Sequence, residues 1–239
     1  MKTILFDLDG TLLPMDVQKF MFQYKISLEK HFSTLHSEAN LFEKVMSSVK
    51  HVVKDQGPLT NDIKFFDHFF RDLKVSKDNY LEHFDLFYKT NFEEVKTSTS
   101  SSETMIEAIK ILKSKGYDLM ILTNPIFPMV ANQKRIQWAG LDINDFKYVS
   151  SFEKNTACKP FLKFYEEVLE INALNSDEVL MVGNDAQEDL VVQKLGIKTF
   201  LINNHLINRE ASLPYTDYSG SYDDFKSFVE ALPEIRGEK

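Results

Sequence analysis

Lys2-Thr3-Ile4-Leu5-Phe6-Asp7-Leu8-Asp9-Gly10-Thr11-Leu12 is a short apolar run that stops at two aspartates. Residues 2–8 have the length and apolar character of a buried strand. Alternation along a strand points residues i and i+2 the same way, which lets Asp7 and Asp9 share a site. Two carboxylates at the end of an apolar strand carry a desolvation cost unless a cation answers them.

Outward from this run, the chain changes texture twice. From Asp16 to Phe92 the apolar residues recur at three- and four-residue steps, predicting helices over 17–31, 38–54, 61–74 and 78–92. Gly57-Pro58 separates the second from the third, and Thr60 or Asn61 is placed to cap the third. Thr97-Ser98-Thr99-Ser100-Ser101-Ser102 then reads either as a flexible linker or as a plain surface loop. Beyond it, helices over 103–115, 128–139, 160–171, 186–195 and 221–231 alternate with strands over 117–123, 147–151, 179–183 and 198–202. Gly116, Gly140 and Gly196 follow three of the helices, as left-handed caps do.

Such alternation predicts an α/β fold: a Rossmann-like parallel-sheet core with helices on both faces. Strand 2–8 belongs to that sheet although some eighty helical residues separate it from the rest. The block is therefore an insertion, an all-helical cap domain over residues 14–96, with the core formed by 1–13 and 97–239.

Composition narrows the function. Of 239 residues, 43% are apolar and 27% charged, a globular balance, and the net charge of −8 argues against general nucleic-acid binding. The single cysteine excludes an internal disulfide, and no Cys/His spacing resembles a zinc site. The initial apolar run is too short for a signal peptide or membrane span, so a cytoplasmic protein without a membrane partner is expected. The sequence leaves its oligomeric state open. Phe65, Phe66, Phe69 and Phe70, four of the 20 phenylalanines, fall on one helix face. A Phe-filled helical core explains that spacing better than an aromatic binding platform does.

In an open parallel sheet, ligands bind at the carboxyl ends of the strands. Those ends read Asp7-Leu8-Asp9-Gly10-Thr11, Thr123-Asn124-Pro125 and Gly183-Asn184-Asp185, with Glu188 and Asp189 close behind and Lys159-Pro160 opening a helix between the latter two. Asp185 supplies a third acid beside Asp7 and Asp9, a set suited to a small hard cation such as Mg2+.

These segments resemble the four motifs of the haloacid dehalogenase-like (HAD) superfamily, in the family's order. Asp7 to Leu12 looks like its DxDGT motif, Thr123-Asn124 its second, Lys159-Pro160 its third, and Gly183 to Asp189 its acidic fourth. The likeness covers residues 1–13 and about 97–205, and the insertion point matches members with a helical cap after the first strand. It implies a magnesium-dependent phosphatase acting on a small phosphorylated metabolite, such as a sugar phosphate or nucleotide-like molecule. By resemblance, Asp7 is the nucleophile that forms an aspartyl-phosphate, and Asp9 is the general acid and base. Mg2+ falls to the Asp7 carboxylate, the Asp9 main-chain carbonyl and Asp185. Thr123, Asn124 and Lys159 bind the phosphoryl group, and Asp189 steadies Lys159 or a metal-bound water. Asn184 departs from the commoner motif, in which Asp follows Gly directly, and its contact with the metal stays open.

Asp9 and the lysine-centred phosphate site argue against dehalogenation, since that branch lacks the second aspartate. A phosphomutase of the same fold and a non-catalytic phosphate-ligand-binding protein are the alternatives. Cys158 reads as a buried filler, and the six histidines as surface or cap residues. Lys50, Lys54 and Lys64 read as a solvated helix face.

Overall fold

The computed structural model describes residues 1–33, 35, 40–71, 73 and 75–235. Six strands form one sheet: β1 (Thr3–Phe6), β2 (Asp118–Ile121), β3 (Tyr148–Val149), β4 (Val179–Gly183), β5 (Lys198–Ile202) and β6 (Tyr218–Gly220). Their order is β3-β2-β1-β4-β5-β6, and every neighbouring pair is parallel. β1 lies at the centre, with Phe6 beside Ile121 on one flank and Val182 on the other. Central strands of a parallel sheet are buried on both faces, which is why Thr3–Phe6 and Val179–Gly183 are apolar without alternation.

The helices are α1 (Val17–Phe32), α2 (Leu41–Lys54), α3 (Asn61–Phe69), α4 (Lys77–Lys89), α5 (Glu103–Lys115), α6 (Met129–Trp138), α7 (Leu162–Ile171) and α8 (Tyr222–Ala231). On one sheet face, Leu5, Met120 and Met181 pack on Phe164, Tyr165 and Val168 of α7. On the other, Ile4, Phe6 and Val182 meet Ile109 and Leu112 of α5 and Phe225 of α8. The expected α/β class and the helices on both faces are present.

Local differences have local causes. The third helix stops at Phe69 rather than continuing to 74; residues 72 and 74, like the start of the expected helix at 38–39 and His36, lie outside the described residues. The fourth ends at Lys89, and Asn91–Ser98 continues as a 3-10 helix. Residues 186–195 are not an α-helix: Asp185 and Asp189 tie up the preceding turn, and only Leu190–Leu195 coils, as 3-10. β6 was missed because Tyr218-Ser219-Gly220 is short and two of its three residues are exposed.

The helical block between β1 and α5 has a phenylalanine interior. Phe32, Phe69, Phe87 and Phe92 are fully buried, each contributing about 2 kcal/mol of apolar burial. That interior is continuous with the core on the α5–α8 face of the sheet. The two chain connections of the block meet. Met15 and Thr99 form an antiparallel bridge, Ser100 donates from its N–H to the Pro14 carbonyl at 3.0 Å, and Asp16 to that of Ser98 at 3.0 Å. The Ser/Thr run is thus a hydrogen-bonded strap, and Ser98 is buried.

α3 docks the block on the loops that follow β2 and β3. Asn61, buried, donates to the Pro125 carbonyl at 3.0 Å instead of capping its own helix. Lys64 corrects an expectation: it is 3% exposed, and its ammonium donates to the carbonyls of Asp55, Gly57 and Thr156 at 2.9, 3.0 and 2.5 Å. Lys50 and Lys54 are exposed as expected.

Candidate active site

β1 ends at Phe6, but its ladder reaches one residue further, with the Asp7 N–H donating to the Val182 carbonyl at 2.9 Å. This anchors the Asp7 main chain while its side chain turns to Lys159, whose Nζ donates to Asp7 Oδ1 at 2.8 Å and to Asp189 Oδ1 at 2.6 Å. Lys159 and Asp189 are each 1% exposed at the side chain. Burial works against the ammonium, but Asp189 and Asp7 outweigh it and hold the Lys159 pKa well above its ordinary value. Burial pushes the Asp189 carboxyl up, and the Lys159 charge opposes that rise. Lys159 precedes a cis Pro160 and lies before α7, which begins at Leu162 with Phe161 as cap residue. It is a buried loop lysine, and the expectation that it opens the helix is corrected.

Asp189 also accepts from the Asp185 N–H at Oδ2, 2.9 Å. Its side chain crosses the face of Gly183 so closely that a Cβ there would lie 2.1 Å from Oδ2. The glycine at the end of β4 is therefore required by the aspartate six residues on.

Asp185 completes this chain of contacts. Its Oδ1 accepts from the N–H groups of Gln187 and Glu188 at 3.1 and 3.0 Å. The Arg209 guanidinium grips both carboxylate oxygens at 2.7 Å. Asn184 braces the loops instead: its Oδ1 accepts from the Thr11 hydroxyl at 2.9 Å, and its amide donates to the His205 carbonyl at 2.7 Å. Gly10, at φ +88°, leaves room for it, since a Cβ would fall 2.3 Å from Asn184 Nδ2.

Asp9 faces a different partner, the guanidinium of Arg135. Burial raises the Asp9 pKa and the charge of Asp7 adds to the rise, while Arg135 and Lys159 oppose it. Asp9 Oδ1 is buried without a hydrogen-bond partner. Arg135 is wholly buried on α6, donates also to Asn132 Oδ1, and lies over the Phe127 ring at 4.6 Å. Sequence reasoning missed this residue. Its signal was a charged side chain on the buried face shared with Ala131 and Trp138.

Of the remaining predicted groups, Thr123 is buried at the end of β2, its carbonyl accepting from Ser150 Oγ at 2.6 Å. Asn124 donates to Glu188 Oε2 at 3.4 Å and keeps Oδ1 buried and unpartnered. Cys158 is buried, and burial raises its thiol pKa to about 12, in keeping with a filler.

Among the described residues, no three His, Cys, Asp or Glu side chains gather as a metal cluster. The implied cation set does not need three, since it takes the Asp7 and Asp185 carboxylates with the Asp9 main-chain carbonyl. Magnesium is held by one or two carboxylates and retains waters. The donor chemistry fits, because these are hard oxygens and Asp185 already answers a cationic group in Arg209.

A family model described as haloacid dehalogenase-like hydrolase matches residues 1–191. The chain belongs to the HAD-like hydrolases. Solved structures of the same fold include a HAD phosphatase from Thermococcus onnurineus, at 20% identity and a TM-score of 0.61, covering 98% of this chain and 100% of that one. A predicted phosphoglycolate phosphatase from Haemophilus somnus 129pt matches at 16% identity and 0.59, over 96% and 98% of the two chains. A 2-haloacid dehalogenase from Pseudomonas syringae pv. Tomato DC3000 matches at 16% and 0.66, over 97% and 98%. Among curated proteins, none matches significantly. The HAD fold thus hosts both dephosphorylation and dehalogenation in these neighbours, and no helix among the described residues is long and apolar enough to cross a membrane.

Proposed function

We propose that this HAD-like hydrolase is a magnesium-dependent phosphatase of a small phosphorylated metabolite. The observation that carries the reading is the pairing of Asp7 with a buried, charged Lys159 while Asp9 sits apart with an unpartnered carboxylate oxygen. Among the described residues Asp7 Oδ2 accepts only a long bond from Thr11 at 3.4 Å, which leaves it free to attack phosphorus in line. The bond to the ester oxygen breaks as the new Asp7–phosphorus bond forms. Asp9, with its pKa raised, gives the departing alkoxide a proton and then takes one from the water that hydrolyses the aspartyl-phosphate. Lys159 and the amide of Asn124 neutralise the phosphoryl oxygens, where most of the stabilisation lies in such transfers. Asp7, Asp185 and the Asp9 carbonyl would hold Mg2+, which when bound neutralises charge on the phosphoryl group. Helices α1–α4, as a cap over the core within residues 14–96, shield the reaction from bulk water.

Dehalogenation is the weaker reading, because displacing a halide needs no acid at Asp9. The deciding assay incubates the protein with Mg2+ and a small aryl phosphate and measures phosphate release. Release abolished by chelation and by Asp7→Asn supports the phosphatase; halide release from a 2-haloacid without phosphatase activity overturns it.

A further inference from the structure

A cavity of about 390 Å3 lies among α1–α4 and the loops that follow β2 and β3. Ligand pockets for small organic molecules start at about this size. Phe20, Tyr24, Phe65, Phe66, Phe84 and Phe127 supply aromatic walls. None of Asp7, Asp9, Thr123, Asn124, Lys159 or Asp185 lines it. Phe127 and the wholly buried Arg135 stand between it and Asp9. The cavity is thus a space apart from the groups that would handle a phosphoryl group.

The charge of its lining is one-sided. Asp62, Asp85 and Glu153 reach it, and no Lys, Arg or His does among the described residues. Asp85 and Glu153 are exposed and Asp62 is half-buried, which puts the carboxylates at the mouth and the rings inside. Each acid has a partner that leaves it anionic: the Met129 N–H for Glu153 at 3.1 Å, the Thr60 hydroxyl for Asp62, and the Lys89 ammonium for Asp85 at 2.6 Å. Lys89, 57% exposed at the side chain, answers one charge of the three, and Arg135 behind Phe127 is paired with Asp9. The mouth is therefore net negative. Inside, the phenols of Tyr24 and Tyr88 bond each other at 2.9 Å. A polyol bonded to the carboxylates at one end would leave its other hydroxyls against aromatic carbon. An anion is repelled at the mouth. A cation gains twice, from the carboxylates and from the negative faces of the rings.

We propose that this cavity is a second binding site, separate from the catalytic one, for a small organic cation whose apolar or aromatic body fills it and whose ammonium stays at the carboxylate-lined mouth. The proposal is independent of the phosphatase reading, since it uses no group of that site and makes or breaks no bond. Burial of the body supplies the affinity, and the ammonium, still hydrated at the mouth, supplies the selectivity.

Equilibrium dialysis of the full chain against phenylpropylamine, phenylpropanol and phenylpropanoate at neutral pH tests it, because the three share a body and differ in the charge of the head. The amine should bind about five- to tenfold more tightly than the alcohol, the gain that a few exposed ion pairs give. The carboxylate should bind more weakly than the alcohol. Asp85→Asn, an exposed substitution, should lower the affinity for the amine about two- to threefold and leave that for the alcohol unchanged. Val49→Phe, which puts a ring into the cavity, should weaken amine and alcohol together by about tenfold or more. Should that variant not fold, Asp85→Asn and the wild-type series carry the comparison. Excess Mg2+ at constant ionic strength should leave the amine bound. Displacement by Mg2+ would place the amine at the acids of the catalytic site and overturns a second site. Equal affinity for all three heads, or glucose bound as tightly as the amine, overturns the choice of a cation. No binding of any of the three at millimolar concentration overturns the proposal outright.

Discussion

Arg209 holds both carboxylate oxygens of Asp185, Nη1 donating to Oδ1 at 2.7 Å and Nη2 standing 2.7 Å from Oδ2 as an ion pair. A planar guanidinium matches a carboxylate in this way, and the pair closes the acid of the fourth motif against other cations. The Arg209 side chain is 54% exposed, so the contact is screened and can open.

Mg2+ drawing on Asp185 must therefore compete with Arg209. Arg209→Gln removes the competitor and should tighten Mg2+ binding by up to about fivefold, a change of the size expected for an exposed ion pair. Isothermal calorimetry of the two proteins with Mg2+ measures it directly. Weaker binding in the variant would mean that Arg209 shapes the cation site instead of occupying it.

Asp7→Asn should abolish phosphate release while the fold persists. Its main-chain bond to Val182 does not involve the side chain, and Lys159 keeps Asp189 as counter-charge. Loss of turnover by at least about a thousandfold is expected for removal of a nucleophile. Turnover near wild type, in protein with an unchanged circular dichroism spectrum, would dismiss the covalent mechanism.

The Arg135–Asp9 pair gives a pH prediction. Burial and Asp7 raise the Asp9 pKa, and Arg135 lowers it. Arg135→Met keeps much of the volume and removes the lowering influence, so Asp9 should stay protonated to higher pH. If Asp9 protonates the leaving alcohol, the alkaline limb of kcat/KM moves up, and the hydrolysis step, which needs the ionised carboxylate, slows near neutrality. Rapid-quench detection of accumulated phosphoenzyme should show that second effect. A fall in kcat/KM with the limb unmoved would leave Arg135 a packing residue.

Much of this site was legible before the fold was known, because strand ends in a parallel sheet are where polar groups gather, and three of them carried acids, an amide or a hydroxyl. Alternation with helices placed β1, β2, β4 and β5 to within about two residues. Arg135 escaped because the apolar period of α6 reads correctly whether a buried position holds a hydrocarbon or a paired cation. Lys64 escaped for the mirror reason: a lysine at a helical position looks solvated until the loops of 55–57 and 156 fold their carbonyls around it. Arg209 could not be tied to Asp185 from sequence, since a 24-residue separation through an irregular loop has no period. Thr97–Ser102 read as a linker or a surface loop, and the main-chain bonds of Ser98 and Ser100 to Asp16 and Pro14 are a feature that composition does not report.

Gly183→Ala should dislodge Asp189, because the new Cβ would stand 2.1 Å from Oδ2 and 2.6 Å from Cβ of that side chain. Backbone and a buried carboxylate cannot both yield cheaply, so a loss of about 2–4 kcal/mol is expected, as for other disruptions of a buried polar network. Chemical denaturation measures it. A variant within about 0.5 kcal/mol of wild type, the range of ordinary surface substitutions, would show that Asp189 has slack the packing does not reveal.

Lys159 joins stability to chemistry. Lys159→Ala leaves Asp189 buried with no counter-charge and Asp7 with one partner fewer. A buried carboxyl without its cation has a folded-state pKa raised above its unfolded value, so the folded state binds more protons and stability falls as pH rises. The variant should therefore melt below wild type at pH 8 and regain part of the difference by pH 5.5, where Asp189 takes up a proton. Phosphatase activity should be lost at both values, since protonating Asp189 does not restore a positive charge beside the phosphoryl oxygens. Lys159→Arg returns the charge but not the fit: a forked guanidinium needs more width than the space between Asp7 Oδ1 and Asp189 Oδ1, which one ammonium fills at 2.8 and 2.6 Å. Thermal melts across pH, run beside phosphate release for both variants, separate the roles. Stability restored at low pH with activity still absent assigns Lys159 to the phosphoryl site, whereas activity that follows the melting curve would make it a structural counter-ion alone.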